Sequence, residues 1–270
     1  MFLSNLHCHT QFSDGKDTME DMVLTAIEKG FVSLGISDHG TLPYEDSSTI
    51  KESALPAYRA EFVRLRSKYA AQIQLYLGLE WDSHAPLFDR TGLDYTIGSV
   101  HNMRDEAGQV HVLDWKPELF EEAIRCVGHG DVQVLIWQYF LQLIQMLKQH
   151  KPDILGHLDI IEKLNDDSRY FSAQAGWYRD LCAATADAIA KTGCIVEVNT
   201  ALNKRRPGFF PSQEILALLY KRGVPVTISS DAHEAGHLDY YFVQAQEMLK
   251  DVGYRQVKIL RDGAFADCPL

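Results

Sequence analysis

The feature that most constrains this chain is a repeated alternation of short apolar runs with amphipathic helical stretches. Strand-like runs fall at residues 2–7, 31–37, 73–79, 95–100, 154–156, 194–198 and 225–229, with a weak eighth at 256–260. Helical periodicity follows residue 18 and covers 55–71, 116–125, 132–149, 173–191, 212–221 and 240–249. Thr18 opens the first helix, and Asp21 stands three places on in capping-box spacing. Gly30, Gly193 and Gly223 each close a helical run just before the next strand, where a C′ glycine belongs. Such alternation implies parallel βα units. Seven or eight of them predict a closed or nearly closed sheet, an α/β fold of the distorted TIM-like (β/α) barrel kind. A chain of 270 residues is long enough for such a barrel to fold as one domain. No linker or internal repeat divides the sequence, so residues 1–270 read as a single domain.

Ionisable residues gather where those strands end. The ends read His7-Cys8-His9, Asp38-His39, Glu80-Trp81-Asp82, His101, His157-Leu158-Asp159, Glu197-Val198-Asn199 and Asp231-Ala232-His233. Six of the 11 histidines occupy them. Folding does not require a polar residue at the end of an apolar strand, whereas barrel active sites are built on that face. Side chains at i and i+2 share a face, so His7 and His9 can grip one cation while Cys8 points away, and Asp231 with His233 repeats the spacing. Imidazoles mixed with carboxylates suit zinc, iron or manganese better than calcium or magnesium. The donors exceed the four of one tetrahedral site, which implies more than one metal, with Glu80 able to bridge two. His84, His111, His129, His150 and His237 lack strand-end context and read as surface or packing residues.

Composition narrows the function classes. A formal net charge of −11 disfavours non-specific binding to nucleic acid or an anionic membrane. No apolar run approaches the ~20 residues of a membrane-spanning helix. The segment before His7 is too short for a signal peptide. Five scattered cysteines without a CxxC pair read as reduced thiols, so a cytoplasmic protein is expected.

The motifs His7-Cys8-His9-Thr10, Phe12-Ser13-Asp14-Gly15, Ser37-Asp38-His39, Gly78-Leu79-Glu80, Gly98-Ser99-Val100-His101, Gly156-His157-Leu158-Asp159 and Ser230-Asp231-Ala232-His233 together resemble the PHP (polymerase and histidinol phosphatase) family. Leu42-Pro43-Tyr44, the run Ile160 to Asn165, Glu197-Val198-Asn199-Thr200 and Phe210-Pro211-Ser212 are similar to its histidinol-phosphatase branch. The resemblance implies an irregular (β/α)7 barrel holding two or three divalent metals at its C-terminal face. By that likeness one metal is held by His7, His9, Glu80 and Asp231. A second uses Glu80 as a bridge with His101 and His157, and a third takes Asp14, His39 and His233. Asp14 also fits a turn residue in Ser13-Asp14-Gly15, and both readings stand.

The activity implied is hydrolysis of L-histidinol phosphate to L-histidinol and phosphate, by attack of a hydroxide bridging two metals. Asp231 and His233 are candidates to move a proton to the leaving group. Lys163, Arg205 and Arg206 are candidate phosphate contacts, and Asn199 a candidate substrate contact. Lys204 reads as a solvated loop residue. Glu197 and Asp82 either orient ligand imidazoles or pair with the amine or imidazole of histidinol. The expected partner is a small phosphorylated metabolite, with no nucleic acid or membrane, and the protein a monomer or small homo-oligomer. Rival readings are a related phosphoesterase acting on another small phosphomonoester or a nucleotide phosphodiester, and a binding module that keeps its metals for structure. The strongly acidic balance argues against a groove for a nucleic-acid strand.

Replacing the bridge is the sharpest test of this assignment. Glu80→Gln is expected to lower turnover by several orders of magnitude while circular dichroism reports an intact fold. Near-normal turnover with metal still bound would overturn the ligand assignment.

Overall fold

A computed structural model describes residues 3–86 and 90–270; Phe2, in the first expected strand, lies outside them. In chain order the elements are β1 (Ser4–Asn5), α1 (Met19–Glu28), β2 (Ser33–Ile36), α2 (Leu55–Lys68), β3 (Gln74–Leu77), β4 (Glu80–Asp82), β5 (Ile97–Ser99), β6 (Asn102–Arg104), β7 (Val110–Val112), α3 (Pro117–Cys126) and α4 (Val132–His150). They continue with β8 (Ile154–Leu155), α5 (Gly176–Ile189), β9 (Ile195–Asn199), α6 (Gln213–Tyr220), β10 (Val226–Ser229), α7 (Phe242–Val252), β11 (Gln256–Arg261) and β12 (Ala264–Pro269).

Two parallel sheets carry the fold, one ordered β1-β2-β3 and one ordered β10-β9-β8-β5-β4. Single parallel bridges tie them together on both sides, His39 to Glu80 and Cys8 to Ala232. The main chain supports both junctions, since Gly40 N donates to Glu80 O at 2.8 Å and His9 N to Ala232 O at 2.8 Å. Every residue of β2, β9 and β10 is buried, as expected of parallel strands covered on both faces. Helices supply the outer cover. In α4 Leu135, Ile136, Tyr139, Phe140, Leu143, Met146 and Leu147 are buried, the spacing of one helical face.

Local signals in the sequence match the elements they start and stop. The Thr18 hydroxyl accepts from Asp21 N at 3.1 Å and the Asp21 carboxylate accepts from Thr18 N at 3.1 Å, which completes the capping box. Gly30 and Gly193 sit at φ +76° and +75°, the left-handed conformation that ends α1 and α5 before the next strand. Two expectations needed correction. The eighth strand is not a further parallel strand, because β11 pairs antiparallel with β12 as a hairpin. Residues 102–114, read as loop, contain the antiparallel hairpin β6–β7, turned at Gly108 with φ +82°. Three-residue strands are too short to show a period.

A second apolar cluster stands apart from the main core. Leu6, Tyr76, Tyr95, Ile97, Ile154 and Ile195 form it, in or beside five parallel strands, and Leu260 with Phe265 of the terminal hairpin joins them. Strand alternation then places the polar residues. Ile195, Glu197 and Asn199 share one face of β9, and Ile97 and Ser99 one face of β5, so the same face runs from apolar to ionisable toward its C-terminal end. Tyr95 fills the middle, donating its hydroxyl to Leu6 O at 2.5 Å. Its ring occupies the space that side chains at Gly35 and Gly78 would need: a Cβ on Gly78 would lie 2.4 Å from Tyr95 Cζ.

This close approach gives a stability prediction. Gly78→Ala is expected to cost ~1–3 kcal/mol, the range for overpacking a filled interior, because the pinned Tyr95 ring cannot step aside. An unchanged midpoint in urea denaturation would contradict the packing described.

Candidate metal centre

At the C-terminal ends of the strands the expected ligands converge around one buried carboxylate. Glu80 is 1% exposed. Its two oxygens face different sets of imidazoles. Oε1 lies 3.1 Å from His101 Nε2 and 2.8 Å from His157 Nε2, and accepts from Ser99 Oγ at 2.6 Å. Oε2 lies 3.2 Å from His7 Nε2, 3.5 Å from His9 Nε2 and 2.9 Å from His39 Nδ1. Asp231 closes the first group, with Oδ1 3.1 Å from His9 Nε2 and 3.7 Å from His7 Nε2. Beside it, Asp14 Oδ1 lies 3.7 Å from His9 Nδ1 and 3.8 Å from His39 Nε2, and Oδ2 lies 3.3 Å from His233 Nε2.

These distances fit metal ligation. Donors ~2.0–2.1 Å from a tetrahedral zinc stand ~3.3–3.4 Å apart along the tetrahedron's edges. The four contacts of His7 and His9 with Glu80 and Asp231 run from 3.1 to 3.7 Å, around that edge. His7 Nε2 and both ring nitrogens of His9 are buried and make no hydrogen bond, an arrangement that is costly for polar atoms unless a cation takes their lone pairs. Three overlapping groups have donor atoms within 4.8 Å of one another: His7, His9 and Glu80; His39, Glu80 and His101; and His9, Asp14, His39 and His233.

The electrostatics are those of a cation site. Burial opposes ionisation of Glu80, but His7, His39 and His101 hold it well below the usual carboxylate range. Asp231 is held down in the same way, against burial, by His7, His9 and His233. Burial pushes His9 down to about 3, and His233 and His39 add to the effect, so its imidazole stays neutral, with one ring nitrogen free to offer its lone pair. Asp231 adopts φ +50°, a strained conformation that Asp tolerates better than most residues and that clusters at functional sites.

Supporting side chains lie one layer beneath. Glu197, fully buried, accepts from His7 Nδ1 at 2.6 Å, Ser229 Oγ at 2.7 Å, His157 N at 2.8 Å and Asn199 Nδ2 at 3.0 Å. The bond to His7 Nδ1 turns that ring's Nε2 toward Glu80. Asp82 accepts from His101 N at 3.0 Å. Asp38 accepts from Thr10 N at 2.7 Å and from the hydroxyls of Thr10 and Ser13, which shapes the turn carrying Asp14. Gly15 has no room for a side chain there, since its Cβ would lie 2.4 Å from His9 O. Turn residue and candidate ligand are therefore compatible readings of Asp14: the turn is what brings the carboxylate to His39 and His233.

A cavity of about 360 Å³ opens over the cluster, lined among others by Asp14, His101, Asp114, Trp115, Lys163 and His233. A larger one, about 710 Å³, lies among Lys148, Lys151, Lys191 and Lys258 and holds no such ligands, so size does not mark the site. Lys163 Nζ lies 3.1 Å from Asp114 Oδ2; burial opposes its charge, yet Asp114 keeps the ammonium above its ordinary value. Asn199 is fully buried and donates its amide to Glu197 and to Asp231 (3.2 Å), so it braces the ligands and does not line the cavity. Arg205 and Arg206 pair with Asp166 outside the cavity lining. Lys204, read as solvated, is exposed and also donates to Asp231 O at 3.1 Å. Asp114, which also lies 3.6 Å from His101 Nδ1, was not foreseen; it sits beyond the hairpin, with no motif around it.

Comparison with known proteins identifies the family and the fold. Residues 5–201 match the family model of the PHP domain. The chain is 27% identical over 260 residues to the histidinol-phosphatase of Bacillus subtilis, covering 87% of this chain and 95% of that one. A solved Listeria monocytogenes structure, provisionally named for the same activity, superposes with a TM-score of 0.77 at 20% identity, covering 90% of this chain and 99% of that one. The histidinol phosphate phosphatase of Lactococcus lactis, solved with zinc, L-histidinol and phosphate, gives 0.68 at 18% identity, covering 97% and 98%.

Glu197 provides the test of this geometry. Glu197→Gln is expected to weaken metal binding by ~10–100-fold, the usual cost of losing a carboxylate that orients a ligand imidazole. Metal affinity equal to the parent's, measured by competition with a chromogenic chelator, would remove Glu197 from the site.

Proposed function

Because this chain belongs to the PHP domain family, we propose that it is a metal-dependent phosphomonoesterase that hydrolyses L-histidinol phosphate to L-histidinol and phosphate. The observation that carries this reading is the division of the Glu80 carboxylate between two sets of imidazoles, His7 and His9 on one oxygen and His101 and His157 on the other. That arrangement suits two divalent ions sharing one bridge, and the group of His9, Asp14, His39 and His233 suits a third. Zinc, iron and manganese match the donors. Ions held there would supply an activated water and neutralise phosphoryl oxygens. The likeness to enzymes named for histidinol phosphate, one of them solved with zinc, histidinol and phosphate, supports the substrate.

The chain's own residues complete the reaction. Lys163 faces the cavity as a point charge for the phosphate, kept ionised by Asp114, and Lys204 adds a second cation beside Asp231. His233 Nδ1 stands 3.0 Å from Asp231 O and 3.6 Å from its Oδ1; His233 is assigned the proton delivered to the leaving alkoxide, with the ionised Asp231 as the carboxylate that holds its ring in place. Asn199 acts as a positioning residue, and Arg205 and Arg206 reach phosphate only by leaving Asp166.

The same reading takes the two parallel sheets as one distorted (β/α)7 barrel. The bridges His39–Glu80 and Cys8–Ala232 at both junctions, and an apolar cluster enclosed by five strands, support closure. Among the described residues no helix is long and apolar enough to cross a membrane. With free cysteines and net negative charge, a cytoplasmic enzyme acting on a small metabolite is the setting we propose.

Phosphate release from L-histidinol phosphate, measured beside sugar, nucleotide and amino-acid phosphates after metal reconstitution, tests the reading. A kcat/KM of about 10⁴ M⁻¹s⁻¹ or more for histidinol phosphate alone, lost on chelation, is the expected outcome. Metal-dependent release from other esters with histidinol phosphate a poor substrate would reassign the substrate. Faster cleavage of bis-p-nitrophenyl phosphate than of the monoester would make the protein a diesterase.

A further inference from the structure

We propose that His111, Glu122 and Cys126 form a separate zinc-class metal site that fastens the hairpin β6–β7 to helix α3. One donor atom from each lies within 4.8 Å of the others, and none of the three residues belongs to the centre around Glu80 or lines its cavity. The placement follows from the elements. Glu122 and Cys126 are four residues apart on α3 and so share a face. His111 lies on β7, which packs against that helix, and is 4% exposed.

The surroundings favour a cation over an ordinary packing contact. His111 Nε2 lies 3.1 Å from Asp105 Oδ2, the kind of carboxylate partner that holds a ligand imidazole in one tautomer and leaves its other nitrogen to the metal. Cys126 is the one cysteine of the five that is not buried, so its thiol is open to a metal. Among the described residues, Glu122 pairs with Arg125, 3.7 Å away and largely exposed, a pair too weak to claim the carboxylate. Thiolate, imidazole and carboxylate together select zinc and its softer relatives over magnesium or calcium, and three protein donors leave the fourth position to water.

A metal here would bear on the catalytic cavity without touching it. His111 and Glu122 bracket the segment that carries Asp114 and Trp115, two residues of the cavity wall, and Asp114 contacts both His101 and Lys163. Joining β7 to α3 fixes both ends of that segment. The inference does not depend on the identity of the substrate.

The thiolate makes the site separately visible, because the centre around Glu80 offers only nitrogen and oxygen donors. Metal-stripped protein titrated with Cd(II) should develop the ultraviolet thiolate-to-metal charge-transfer band. Cys126→Ser should lose that band together with about one bound metal per chain, and Asp105→Asn should weaken Cd(II) binding at this band by ~10–100-fold. In the parent protein, Zn(II) should protect Cys126 from a thiol-labelling reagent, a readout that holds even if a variant folds poorly. A parent protein without the band, a band that survives Cys126→Ser, or labelling of Cys126 unaffected by Zn(II) would each overturn the proposal.

Discussion

The structure depends on how a carboxylate is kept ionised where water cannot reach it. Glu80 is 1% exposed, and taking such a charge out of water costs several kcal/mol unless partners surround it. Five imidazoles and the Ser99 hydroxyl converge on its two oxygens, delivered by the ends of four strands, β1, β2, β5 and β8, or the turns after them. The same residue is a seam of the fold: its backbone pairs with His39 and joins one parallel sheet to the other. Chemistry and architecture thus meet at one position. A change that moves the carboxylate disturbs the junction of the sheets, and a change in strand register withdraws the ligands.

The interior is divided along the strands. Toward their N-terminal ends, Leu6, Tyr76, Tyr95, Ile97, Ile154 and Ile195 pack an apolar plug, covered by Leu260 and Phe265. Two residues further along the same faces stand Ser99 and Glu197. The apolar half supplies the packing energy, and the polar half stores electrostatic tension that a bound cation relieves. The left-handed Asp231 and the unpaired nitrogens of His7 and His9 belong to that second half. Sites of this kind are built for ligands, and the free energy of the rest of the fold holds them in place.

The residues of the cluster were legible because histidine and acid fell at strand ends in i, i+2 spacing, a pattern that folding alone does not require. His7, His9, Asp14, His39, Glu80, His101, His157, Asp231 and His233 all stand in the cluster. The basic residues were not legible to the same degree. Arg205 and Arg206 look like phosphate contacts by charge and position, yet Asp166, nearly forty residues earlier in the chain, takes both guanidinium groups. Lys204 is exposed, in line with a solvated loop residue, but its contact with Asp231 O has no signal in the sequence. Asp114 lies past a hairpin that residues 102–114 do not announce. A loop residue's partner depends on the path of other loops, which leaves no period in the sequence.

Alternation of strand and helix, the capping box at Thr18, the C′ glycines and the histidine and acid cluster at the strand ends were determined by the sequence itself, since each rests on spacing along one chain. Tertiary structure decided the rest. It set which oxygen of Glu80 faces which imidazoles, bonded the buried Asn199 amide to Glu197 and Asp231, and turned the last strand into a hairpin across the apolar end. The physical reason is range. Hydrogen-bonded spacing along a helix or strand is local, whereas the charge balance of a buried site is settled among residues more than two hundred positions apart, such as His7 and Asp231.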